Sequence, residues 1–125
     1  MKRLIPVFLL FALLTVLVIA CGSSSGGGGG TVTVHTSGPS FTQASVTLSK
    51  GESLTIVDDD GAMHKIANGT WNNGVAQPMT EPGAPMVNVT LNGNDSQSVG
   101  PFNTTGTFHL YCSIHQNMNL TVIVS

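Results

Sequence analysis

The run Gly106-Thr107-Phe108-His109-Leu110-Tyr111-Cys112-Ser113-Ile114-His115-Gln116-Asn117-Met118-Asn119-Leu120-Thr121-Val122-Ile123-Val124 sets the pattern for the whole chain. Its apolar residues recur at every second position, at Phe108, Leu110 and Cys112 and again at Leu120, Val122 and Val124. Successive side chains of a strand point to opposite faces, so this alternation marks two half-buried strands with a turn between them. Cys112 falls on the inward face with Phe108 and Leu110, and the turn lets His115 and Met118 converge on it.

The same alternation continues upstream in Thr31-Val32-Thr33-Val34, at Val46 and Leu48, at Leu54 and Ile56, and at Val87, Val89 and Leu91. Turn signals separate these segments at Lys50-Gly51-Glu52, Asp59-Asp60-Gly61, Asn68-Gly69, Asn73-Gly74, Asn92-Gly93 and Thr105-Gly106. No amphipathic helical stripe runs for ten residues beyond Thr31, and Pro78, Pro82 and Pro85 block one in the middle. The expected fold is all-β, a sandwich or Greek-key barrel of seven or eight short strands over residues 31–125. Residues 71–85 read as a long polar, proline-containing excursion. A core of this size is modest, and a bound ligand would add to its stability.

The chemistry sits in the C-terminal turn. A thiolate at Cys112, an imidazole at His115 and a thioether at Met118 lie within seven residues, and the set lacks one more strong nitrogen donor. One cysteine and two histidines in a trigonal arrangement, with a weak distant methionine, form the ligand field of a blue copper electron-transfer site.

At this point the chain resembles the cupredoxin family, in particular its plastocyanin, amicyanin and halocyanin group. Tyr111-Cys112-Ser113-Ile114-His115 looks like that family's Y-C-x-x-H motif. The segment from Val46 to Asp60, with Lys50-Gly51-Glu52 between two alternating runs, resembles its strand, K-G-[DE] turn and second strand. His64 stands in the loop where the family places its first copper ligand. The resemblance covers most of residues 41–124 and implies a cupredoxin-like Greek-key β-sandwich or barrel holding one copper ion (Cu+/Cu2+). The implied ligands are His64, Cys112, His115 and Met118. Val122 and Val124 stand four and six residues after Met118, as in family members with longer loops, which favours the short C-x-x-H-x-x-M spacing over Leu120 or Gln116 as the axial position. In the family the edge of the C-terminal histidine is the electron port. Here that implies His115 with Ile114 in an apolar rim, and Tyr111, facing outward beside Cys112, as a second route. The chain departs from the pattern at Lys65, where the residue after the first histidine is commonly Asn, at Ile114 in place of Pro and at Leu120 in place of Gly.

Other chemistry-bearing residues have plainer readings. His109 lies on the face opposite Cys112 and reads as a surface histidine, and His35 as structural. Met63, Met79 and Met86 read as core filler or an apolar rim rather than a Cu(I) transfer surface. Asp58-Asp59-Asp60 lacks the alternate-residue spacing of a calcium loop and reads as a solvated turn. The five N-x-[ST] sequons, beginning at Asn68, Asn88, Asn94, Asn103 and Asn119, follow from a Thr/Asn-rich surface.

The N-terminus is an address. Lys2 and Arg3 precede an apolar run from Leu4 to Ala20, the pattern of a secretory signal peptide. It ends in Val18-Ile19-Ala20-Cys21, which resembles a bacterial lipobox and implies lipidation of Cys21; an uncleaved anchor is the alternative. Residues 1–20 are thus expected to be a lipoprotein signal peptide and residues 21–30, with five consecutive glycines, a flexible tether. Either reading exports the domain and holds it at the outer face of the cytoplasmic membrane, or at a periplasmic or cell-surface membrane. Beyond residue 20 only Lys50 and Lys65 face six acids, a formal net charge of −4 that excludes a nucleic-acid binder and favours basic partners. The expectation is a monomeric, membrane-anchored one-electron carrier, not an enzyme, serving redox proteins such as c-type cytochromes or membrane oxidases and dehydrogenases. The alternative is a lipoprotein that delivers copper to an oxidase.

Overall fold

The computed structural model describes residues 31–125, so the expected signal peptide, Cys21 and the whole of the glycine tether lie outside the described residues. Among the described residues no helix is long and apolar enough to cross a membrane. Ten strands follow in chain order: β1 (Thr31–Ser37), β2 (Ser40–Phe41), β3 (Ser45–Leu48), β4 (Ser53–Asp58), β5 (His64–Asn72), β6 (Val75–Pro78), β7 (Asn88–Leu91), β8 (Ser96–Val99), β9 (Gly106–Cys112) and β10 (Asn119–Val124). They form two sheets, one ordered β2-β1-β4-β8 and the other β3-β10-β9-β5-β6, with β7 also paired to β5. Both sheets are mixed, because β1 runs parallel to β4 and β3 parallel to β10 while every other pair is antiparallel.

Alternation accounts for the core. Val46 and Leu48 of β3, Leu54 and Ile56 of β4, Phe108, Leu110 and Cys112 of β9, and Leu120, Val122 and Val124 of β10 are all buried, while their neighbours face outward or are half-covered. Tyr111 is the exception on β9, being buried on the other face. Burying each Leu, Ile or Phe contributes about 1.5–3 kcal/mol, so these rows carry most of the sheet-to-sheet adhesion. Phe102 and Phe108 close one end of the core with ring centroids 6.0 Å apart.

Two strands exceed what apolar alternation shows. β8 buries only Val99, and β5 continues through Asn68-Gly69, which is strand rather than the expected turn. Gly69 has φ +134°, and a Cβ there would lie 2.5 Å from the Gln77 carbonyl oxygen and 2.8 Å from the Tyr111 ring. Glycine is required because β6 and Tyr111 close over that position. The segment expected as an excursion is therefore half strand: β6 pairs with the second half of β5, from Gly69↔Pro78 to Asn72↔Val75. The return from it is pinned by Asn68, whose amide donates to the Pro85 carbonyl (3.0 Å) and accepts from Val87 N (2.6 Å).

Candidate metal centre

Strand register brings the donors together. In the β5–β9 ladder Ile66 stands opposite Cys112, and His64, two residues earlier, shares the face of Ile66. His64 thus opens a strand instead of standing in a loop, and its position is fixed by pairing with Leu91. On the other side, the β9–β10 ladder begins at Tyr111↔Asn119, and the Cys112 amide donates to the Met118 carbonyl at 3.0 Å. A tight turn lies between: Met118 N donates to the His115 carbonyl (3.3 Å) and Asn117 takes φ +62°.

Three donor atoms converge. Cys112 Sγ is 3.4 Å from His115 Nδ1 and 3.8 Å from His64 Nδ1, and the imidazole rings stand 4.9 Å apart at 56°. Bonds of about 2.0–2.1 Å to nitrogen and about 2.3 Å to sulfur, opened at tetrahedral to trigonal angles, separate such atoms by roughly 3.5–3.8 Å. The donor set therefore fits one first-row ion, and a soft thiolate with two imidazoles suits copper. Cys112 and His64 are fully buried and His115 is half-buried. Burial holds the His64 imidazole below its ordinary pKa; Asp58 opposes this in part and His115 adds to it. A neutral ring keeps its lone pair available for a metal. Met118 is buried with Leu120 and Val122, and its backbone is held to that of Cys112 at the end of the β9–β10 ladder.

The surroundings correct three expectations. Tyr111 does lie on the outer face of its sheet, but it is only 4% exposed, so it is not a surface route. Gly69 and Pro78 pack over it, and Trp71 meets it edge-on at 6.0 Å. Asp58 is not a solvated turn residue: it is 2% exposed, with Oδ1 accepting from Thr36 Oγ1 and from Asp60 N, each at 3.2 Å. Asp59 does face solvent, paired with His35 at 2.9 Å. Met63, Met79 and Met86 take the second of their two expected places, an apolar rim rather than core filler: Met79 and Met86 line a shallow groove against Tyr111 and Ser113, while Met63 and Ile114, 48% and 46% exposed, flank the two histidines in sequence. His109 is a surface residue, as expected, and is tied to Glu81 at 2.6 Å.

A clamp on the ligand loop has no counterpart in the sequence reading. Trp71 Nε1 donates to the Cys112 carbonyl (2.9 Å), and Trp71 N and O exchange hydrogen bonds with the Asn119 amide (2.7 and 3.1 Å). Asn117 accepts from Gly74 N (3.2 Å) and Gln116 donates to Gly74 O (3.1 Å). The β5–β6 hairpin thus grips both ends of the loop that carries His115 and Met118. The only local signal was the Asn73-Gly74 turn; its docking onto residues more than 40 positions away is not written in any local pattern. Lys65 ties the segment of His64 to that of Cys112, because its backbone carbonyl accepts from Ser113 N at 2.8 Å.

Comparison with solved structures agrees with this architecture. The chain is similar to amicyanin from Paracoccus versutus (Thiobacillus versutus), with a TM-score of 0.58 and 20% identity over 76% of this chain and 81% of that one. It is similar also to a reduced tryptophan-to-tyrosine mutant of amicyanin (TM-score 0.59, 14% identity, 77% and 83% covered). A proline-to-glycine mutant of amicyanin in its reduced Cu(I) form at pH 4 gives 0.59 and 14%, covering 78% and 84%. No protein-family model matches the sequence and no curated protein matches it. The fold is the cupredoxin β-sandwich.

Proposed function

We propose that this protein is a one-electron carrier whose redox centre would be a single copper ion held by Cys112, His64, His115 and, more weakly, Met118. The observation that carries the reading is the approach of two Nδ1 atoms to one buried thiol, at 3.4 and 3.8 Å. Copper bound there would supply a reversible Cu2+/Cu+ couple. The chain's part is to hold the donors rigidly, so that little rearranges when the charge changes. His64 and Cys112 are shut from water and the loop of His115 is clamped by the β5–β6 hairpin.

His115 is the one member of the converging trio with an edge toward solvent, and exposed Ile114 beside it supplies an apolar rim for a partner. We read this edge as the electron port. The acidic balance of the domain favours basic redox partners such as c-type cytochromes, with association that slows as salt rises. A Cys21 lipid anchor would hold the domain at the outer face of a membrane as a monomer.

The test is a redox titration of the copper-loaded protein with a Cu(I) chelator present. Reversible one-electron cycling with retained metal supports the carrier. Rapid loss of Cu(I) to the chelator contradicts it and points to copper delivery instead.

A further inference from the structure

Cys112 has a connection to the surface that does not pass through the ligand turn. The residue is fully buried and its N–H is engaged by the Met118 carbonyl, but its own carbonyl oxygen accepts the 2.9 Å hydrogen bond from the Trp71 indole. That is the ordinary length of a well-formed N–H···O bond. Trp71 is the only tryptophan of the chain, and it is half-buried, with exposed Asn72 directly after it. Its backbone N and O are both bonded to the Asn119 side chain, so the ring is held in place from its own main chain. Tyr111, the aromatic residue next to Cys112 in sequence, is closed off beneath Gly69 and Pro78 and meets Trp71 edge-on. The aromatic residue with access to the surface on this side is therefore Trp71. A covered indole N–H needs some acceptor. Here the acceptor is the carbonyl of the residue that carries the buried sulfur.

We propose that Trp71 is an electron relay, a second outlet from the redox centre that leaves Cys112 by its carbonyl and reaches the surface on the β5–β6 hairpin. Electron tunnelling decays slowly along covalent and hydrogen bonds and steeply across gaps that are merely packed. From Sγ the bonded path runs through Cβ, Cα and the carbonyl carbon to the oxygen, then over one hydrogen bond into a delocalised ring. In this step one electron leaves the reduced centre and one external acceptor, such as an oxidised haem protein, gains it. The indole is neither oxidised nor deprotonated, so no proton moves. The inference rests on Cys112 being a copper ligand, as the proposed function has it, and adds an outlet separate from the His115 edge.

Two measurements test this. In the metal-free protein the single indole N–H gives one 1H–15N resonance, expected to exchange slowly with D2O; exchange at the rate of a free indole overturns the proposal. In the copper-loaded protein a ruthenium photosensitiser is attached singly, either at Asn72→His on the hairpin or at the native surface histidine His35 on the other sheet, and species labelled at His109 are removed. The rate at which flash-generated Ru(III) oxidises the reduced centre is measured from each position. Trp71→Phe keeps an aromatic ring and loses the hydrogen bond. A changed potential or a loosened site alters both rates alike, so the quantity read is their ratio. The hairpin rate is expected to fall several-fold relative to the His35 rate in the variant. An unchanged ratio overturns the proposal, even in a variant that is less stable or loses copper faster, because Trp71 is then a clamp and nothing more. A wild type that stays colourless with copper overturns the copper reading, and the relay with it, before any rate is measured.

Discussion

The indole Nε1 of Trp71 donates a 2.9 Å hydrogen bond to the backbone carbonyl of Cys112, linking the β5–β6 hairpin directly to the residue that carries the buried sulfur. The bond spans 41 positions of sequence, and Asn119 closes the same contact from the far end of the ligand loop. A Trp71→Phe variant keeps an aromatic ring but leaves that carbonyl without its donor. Its expected cost is about 1–2 kcal/mol in urea denaturation, with faster loss of copper to a chelator. An unchanged copper off-rate would show that the hairpin stabilises the fold without clamping the site.

Gly74 separates strain from clamping when it is compared with Gly38. Both have positive φ, +77° and +56°, so alanine strains the backbone at either place by about 1–2 kcal/mol. At Gly38 a new Cβ meets nothing within 4 Å, whereas at Gly74 it would lie 2.6 Å from Gln116 Nε2. Gly38→Ala is expected to lower stability alone, and Gly74→Ala to lower it further and alter the visible spectrum of the copper protein. Equal effects of the two variants would remove Gln116 from the account.

Met118 can be tested as a ligand because its replacement by leucine nearly conserves volume. Such swaps usually cost under about 1.5 kcal/mol, and a weak axial donor favours the oxidised ion. Met118→Leu is expected to raise the reduction potential with little change in thermal midpoint. A potential that does not move would return Met118 to the core as packing.

The acid side of the stability profile should report Asp60. Hydrogen bonds from the backbone N–H groups of Gly38 and Ala62 hold its carboxyl below the ordinary value of 3.8. A depressed folded-state pKa contributes stability that is complete above the unfolded value and lost as pH falls through the folded one. Asp60→Ala is therefore expected to lower the urea midpoint of the metal-free protein near neutrality and to flatten its decline below about pH 4. A decline of unchanged steepness would show that other carboxyls govern acid unfolding.

How far the sequence led can be judged residue by residue. The strands with strict alternation, such as Leu120, Val122 and Val124, were legible because one face is buried and one is not. Cys112 and His115 were legible because a single turn holds both, and His64 through the family resemblance of its flanking segment. Gln97 and Ser98 of β8 were not, since a strand that buries only one residue shows no apolar period. Asn68-Gly69 misled, because a glycine needed for close packing under Tyr111 looks the same in sequence as a turn glycine. Trp71, Asn119 and the buried Asp58 act through contacts more than five residues away, which no local pattern records.

The central claim is that one metal ion bonds the Cys112 thiolate together with His64 and His115. The most direct measurement is the visible spectrum of the copper-loaded protein beside that of Cys112→Ser. The account predicts an intense blue colour in the wild type, from charge transfer between thiolate and Cu(II), and its complete loss in the variant. A colourless wild type that binds copper, or a blue Cys112→Ser protein, would contradict it.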